Sequence, residues 1–165
     1  MALLEVIATS VADAINAEQG GAARIELIAD FAVGGLTPTL KLVQEVVQAV
    51  KIPVRVMLRE SEAFQVTDEA EKQRLCTKAK EFAALPVDGI VCGFLQGDAI
   101  DHRLLQRVLT AATPLHVTFH RAFEELSDPL AAIQELKRYP QIDTILTSGG
   151  KGTEAEKIAR LSICE

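Results

Sequence analysis

Short β-rich runs alternate with amphipathic stretches along the whole chain. The strand candidates are Leu3–Ala8, Arg24–Ile28, Val54–Arg59, Gly89–Phe94, Leu115–His120 and Thr144–Ser148. Between them lie helical patterns at Val11–Gln19, Pro38–Val50, Asp68–Leu85, His102–Ala112, Pro129–Tyr139 and Glu154–Ser162. Strand and helix in regular alternation predict βα units and a parallel sheet. Ser10, Thr37, Thr67, Asp101 and Thr153 stand where a side-chain oxygen can accept from the first turn of a helix. Thr153 with Glu156 fits a capping box, and Pro38 suits a first helical position. No linker or shift in composition divides residues 1–165, which read as one domain. Segments after helices are short, whereas Ala29–Thr37, Glu60–Thr67, Leu95–Asp101 and Arg121–Asp128, all after strands, are long. Parallel α/β folds bind ligands at the carboxyl ends of their strands, so a site is expected among these loops. Six units fit a doubly wound sheet; a closed (β/α)₈ barrel needs about eight units and typically about 250 residues.

Polar residues inside the strand candidates change this picture. A strand covered on both faces should be nearly all Val, Ile and Leu. Here Glu5, Arg24, Glu26, Arg55, Arg59, His116, Thr118 and His120 interrupt the runs. Side chains alternate between faces. Arg24 and Glu26 therefore share a face, as do Arg55, Met57 and Arg59, and His116, Thr118 and His120. Ile25, Leu27, Val54, Val56, Leu58, Val117 and Phe119 make the opposite face apolar, fit for a coat of helices. The polar face suits a barrel lumen or a cleft. Burying charge is unfavourable without pairing, so the face is either a structural ion-pair network or a ligand site.

As a catalytic site, Glu5 or Glu26 would serve as general base and His120 as general acid. Arg59 would hold an anion together with the loop Ser148, Gly149, Gly150 and Lys151, whose glycines let backbone N–H groups approach. A plain strand-to-helix turn is the other reading of that loop. Cys92, Met57 and His120 form a soft donor set that would suit Cu(I), although no two have local ligand spacing and buried Cys and Met are commonly core.

The 165 residues carry a net charge of -6 and no Trp, with aromatics at 4%, which argues against a nucleic-acid binder. No apolar run approaches the roughly 18 residues that span a bilayer. The first residues lack the charged and apolar regions of a secretory signal. Cys76, Cys92 and Cys164 form no disulfide pattern, and together these features point to the cytoplasm.

Several segments in order then resemble the CutC copper homeostasis family. They are Leu3-Leu4-Glu5, Arg24-Ile25-Glu26-Leu27, Gly34-Gly35-Leu36-Thr37-Pro38, Pro53 to Arg59, Thr118-Phe119-His120-Arg121-Ala122-Phe123 and Ile145 to Gly150. The resemblance covers essentially the whole chain. It implies a TIM-barrel fold, a cytoplasmic location and copper handling through Cu(I), and no defined reaction. Ile28 stands where many relatives have Cys, and Glu60 to Gln65 replace a basic rim with an acidic one. The family continues for two further βα units, so an incomplete or open barrel with about six of eight units is expected. Its outer strands would then pair with another copy or another chain. An enzyme or degenerate enzyme acting on a small anionic metabolite, phosphate or carboxylate, is the alternative function. A shortened relative without activity is the third.

Overall fold

A computed structural model describes residues 3–162. The strands are β1 (Glu5–Ala8), β2 (Arg24–Leu27), β3 (Val54–Met57), β4 (Gly89–Cys92), β5 (Leu95–Gln96), β6 (Ala99–Ile100), β7 (His116–Phe119) and β8 (Ile142–Ile145). The helices are α1 (Val11–Gln19), α2 (Leu40–Ala49), α3 (Glu69–Ala83), α4 (His102–Ala112), α5 (Pro129–Leu136) and α6 (Glu154–Leu161). Six strands form one parallel sheet in the order β1-β2-β3-β4-β7-β8, and β5 and β6 form a separate hairpin. The main strands neighbour one another in chain order, which is the winding of a (β/α) barrel and not of a doubly wound sheet. Among the described residues β1 and β8 each pair on one side only, so the barrel is open.

Ser10, Asp101 and Thr153 cap helices as expected, and Thr153 with Glu156 closes a capping box. Two other starts lie further along. Thr39 caps α2 in place of Thr37, and Asp68 caps α3 in place of Thr67. The Thr37 hydroxyl is engaged elsewhere, on the backbone of Arg59. Pro38 consequently lies before the helix. The last strand begins earlier than Thr144, because a bulge lets Val117 pair with Ile142 while Thr118 pairs with Thr144. Asp143 is the extra residue, and its polar character hides the strand start in the sequence.

Alternation along the strands sorts the interior. Ile25, Leu27, Val56, Leu58, Ile90, Val117 and Phe119 join Val43, Val46, Leu75, Phe82, Leu105 and Val108 in the core between sheet and helices. Each such side chain contributes about 1.5–3 kcal/mol through burial. The lumen side holds only a small separate apolar cluster of Ile28, Met57 and Val91. Charged and hydroxyl side chains fill much of the rest.

Candidate functional site

The lumen has two ends of different character. At the amino end Arg55, only 2% exposed, uses its whole guanidinium group. Nε donates to Asp88 at 2.8 Å, and Nη1 and Nη2 fork onto the Asp143 carboxylate at 2.7 and 2.9 Å. Nη1 also reaches the hydroxyls of Thr118 at 2.8 Å and Thr144 at 3.1 Å. His116 Nδ1 lies 3.0 Å from the same Asp143 carboxylate. Gly89 makes room for this plug, since a Cβ there would stand 2.4 Å from the His116 carbonyl oxygen and 3.3 Å from Arg55 Nε. Glu5 belongs to this end as well. Its carboxylate accepts from Arg24 Nε at 2.6 Å and does not line the cleft at the other end, so it does not fit the expected role of general base. Here the structural ion-pair reading holds.

At the carboxyl end the loops surround a cleft of about 720 Å³. Glu26, Met57, Arg59, His120, Arg121 and Ser148 line it, among apolar walls that include Ile28, Phe31, Phe64 and Leu146. Arg59 lies two residues past β3 and is clamped by its backbone. Its N–H donates to Thr37 Oγ1 at 2.8 Å, and its carbonyl accepts from the Thr37 hydroxyl at 2.9 Å and the Thr37 N–H at 2.8 Å. The guanidinium lies over the Phe64 ring at 4.7 Å and donates to the carbonyls of Val33, Gly35 and Glu62. Its Nε is buried without a partner among the described residues. No carboxylate hydrogen-bonds Arg59 or Arg121 among the described residues.

His120 immediately follows β7 and is 4% exposed. Its backbone N–H donates to the Cys92 carbonyl at 2.9 Å, and its ring packs against Phe64 with centroids 5.2 Å apart. A Cβ on residue 93 would stand 2.6 Å from Nδ1, so glycine at that position admits the ring. Burial, with the nearby Arg59 charge, pushes the imidazole down to about 3, so it is neutral. Nδ1 accepts from the Ala122 N–H at 3.3 Å, which assigns the ring proton to Nε2. That Nε2–H is buried and has no acceptor among the described residues. His120 thus presents a neutral ring with a hydrogen-bond donor at Nε2. Glu26, 4% exposed and without a hydrogen bond among the described residues, is pushed up to about 7 by burial and by the Glu5 charge. A carboxyl with that proton affinity can give or take a proton near neutral pH.

The glycine-rich loop does bind an anion, but one from its own chain. Glu124, in the one-and-a-half-turn 3₁₀ segment Arg121–Glu125, accepts from Thr147 Oγ1 at 2.7 Å, the Ser148 N–H at 2.6 Å and hydroxyl at 2.9 Å, and the Gly150 N–H at 3.1 Å. Lys151 pairs with Glu125 at 2.7 Å. Ser148 lines the cleft beside Arg59, whereas Gly149, Gly150 and Lys151 line a second pocket of about 330 Å³. The expected joint anion holder is therefore split, and its backbone part is filled. Sequence reasoning did not single out Glu124; the available signal was an acid in the loop after the neighbouring strand.

The soft donors also divide. Met57 and His120 line the cleft, but Cys92 pairs in register with Phe119 and belongs to the helix-facing core. Alternation places Val91 toward the lumen and Cys92 away from it. Burial pushes the Cys92 thiol up to about 12, which disfavours the thiolate a metal would take. Among the described residues no three His, Cys, Asp or Glu side chains form a metal-binding group. Cys164 lies outside the described residues.

An open, singly wound (β/α) barrel with a mixed-charge cleft at the carboxyl ends of its strands defines the class of this protein. The CutC family model matches residues 2–163, and the chain belongs to that family. Over 148 residues it is 39% identical to the copper homeostasis protein cutC homologs of Homo sapiens and Mus musculus, covering 89% of this chain and 54% of each relative. The chain thus spans about half the length of the curated relatives it matches. A crystal structure of a CutC protein from Streptococcus agalactiae superposes with a TM-score of 0.88 at 28% identity, covering 99% of this chain and 81% of that one. The structure of PhdJ bound to a substrate intermediate, at 14% identity and a TM-score of 0.64 over 97% of this chain and 57% of that one, shares the fold alone. No helix among the described residues is long and apolar enough to cross a membrane.

Proposed function

We propose that this chain serves copper homeostasis in the cytoplasm and meets Cu(I) in the carboxyl-end cleft. The family match over residues 2–163 carries this reading, and the shared cleft position of Met57 and His120 supports it. A thioether and an imidazole are donors that Cu(I) accepts. A metal at His120 Nε2 obliges the ring proton to move to Nδ1, which forfeits the 3.3 Å bond from the Ala122 N–H. The neighbouring guanidiniums also disfavour a cation. Both effects keep the affinity weak and suit transient handling. Competition against a Cu(I) chelator in reducing buffer tests the reading. Met57→Leu and His120→Ala should each lower the affinity and Cys92→Ser should leave it unchanged; a protein that draws no Cu(I) from the chelator overturns it.

The open edges support association. β1 and β8 each lack a partner on one side among the described residues, and Leu3, Leu4, Ile7 and Leu146 are exposed beside them. Pairing with a second copy or another chain would cover this surface. Light scattering that finds a compact monomer at every concentration counts against it.

A second reading, an enzyme acting on a small anionic metabolite, is favoured by Glu26. A buried carboxyl poised near 7, in the same cleft as an unpartnered imidazole N–H, can move a proton while His120 steadies developing negative charge. A thermal-shift screen of small phosphates and carboxylates tests it, since a ligand of the folded form raises Tm.

A further inference from the structure

We propose that the carboxyl-end cleft binds a small organic monocarboxylate with an apolar body, received by the guanidiniums of Arg59 and Arg121 and by the Nε2–H of His120. The inference deepens the second reading, because it names the ligand class of that site.

Three unmet demands converge on one cavity. Arg24 and Arg55 on the lumen strands hold carboxylates, whereas Arg59 and Arg121 line the cleft with none bonded to them among the described residues. Both guanidiniums line the cleft that His120 also lines, so an anion held there meets two positive charges. His120 adds a buried N–H without an acceptor, which a native structure seldom leaves unexplained. A ligand oxygen supplies the missing acceptor.

The type of anion follows from what else is already occupied. Phosphate is commonly wrapped by backbone N–H groups in a glycine-rich nest. Here the nest at Ser148–Gly150 is filled by Glu124. What stays open is the planar fork of Arg121 with the unpartnered Nε of Arg59, and such N–H groups match a carboxylate. Glu26, which also lines the cleft, would repel a second carboxylate, so a monoacid is favoured over a diacid. Ile28, Phe31, Phe64 and Leu146 give the rest of the ligand an apolar lining, and about 720 Å³ falls within the range of small-molecule sites.

Calorimetric titration of the copper-free chain tests this, with 3-methylbutanoate, 4-methylpentanoate and phenylacetate as monoacid probes and succinate and inorganic phosphate as controls. At about 10 mM ligand even a millimolar Kd registers. At least one monoacid should bind with unit stoichiometry and more tightly than either control. Arg121→Gln, a change at an exposed loop position, should weaken it about tenfold or more with Tm unchanged. His120→Gln, which keeps an N–H donor, should retain more affinity than His120→Ala. Preference for phosphate or succinate, indifference to Arg121→Gln, or no binding of any monoacid overturns the inference. Binding of a monoacid that undergoes no conversion leaves the inference standing and removes the enzyme reading.

Discussion

The two ends of the lumen are built from the same residue types on the same strand faces, yet only one is electrically complete. At the amino end every nitrogen of Arg55 has a partner, and Glu5 is matched by Arg24. At the carboxyl end Glu26, Arg121, Arg59 Nε and His120 Nε2 have no hydrogen-bond partner among the described residues. A charged face is therefore not in itself a site. The supply of partners decides, and the carboxyl end, where the loops leave a cleft, is short of them.

Breaking the amino end should have the largest effect on stability. Arg55→Met strips the counter-charge from Asp88 and Asp143 and should cost about 3 kcal/mol in urea unfolding, near the low end for a broken buried pair because both carboxylates keep some contact with water. Gly93→Ala should come next, at about 1–3 kcal/mol, because its methyl would overlap the His120 ring. Unlike Arg55→Met, it should also abolish ligand binding in the cleft, which separates the two ends in one experiment.

Glu124→Gln should cost about 1 kcal/mol, since an amide keeps part of the bonding to Thr147, Ser148 and Gly150. Burial alone would raise the Glu124 carboxyl, but those hydroxyl and N–H donors outweigh it and hold it below the usual carboxylate range. Its contribution is thus present above the unfolded-state pKa and lost as pH falls through the folded one, so the variant's deficit should shrink in acid.

The smallest change, in the opposite direction, belongs to Glu26. Its folded-state pKa is raised from 4.5 to about 7, so the native fold loses stability as pH rises through that interval. Glu26→Gln removes the titration. Its Tm should gain on that of the parent between about pH 5 and 8, and equal pH profiles for the two proteins would contradict the assignment.

Much of this was legible in residue order. The two-residue period identified the lumen face on β2, β3 and β7, and the glycine-rich loop, open in the sequence between an anion holder and a plain turn, takes the chain's own Glu124 carboxylate. Which charges would find partners was not legible. Asp143 sits at a bulge, Asp88 in a turn before β4 and Glu124 in a 3₁₀ segment, none of which carries a periodic signal. Arg55 and Asp143 are 88 residues apart, and no local pattern joins them. Cys92 was a further case. Its register opposite Phe119 turns it toward the helices, and a soft sulfur in the sequence carries no sign of that face.

The Arg55–Asp143 contact also acts as a chord across an arc. It ties β3 to β8 over the two strands between them. Laid flat, those outer strands would stand about 14 Å apart with side chains projecting upright, too distant for their tips to touch. The tips meet because the sheet curls, so one guanidinium gauges its curvature, and trimming that tether would let the arc relax and widen the gap between β1 and β8.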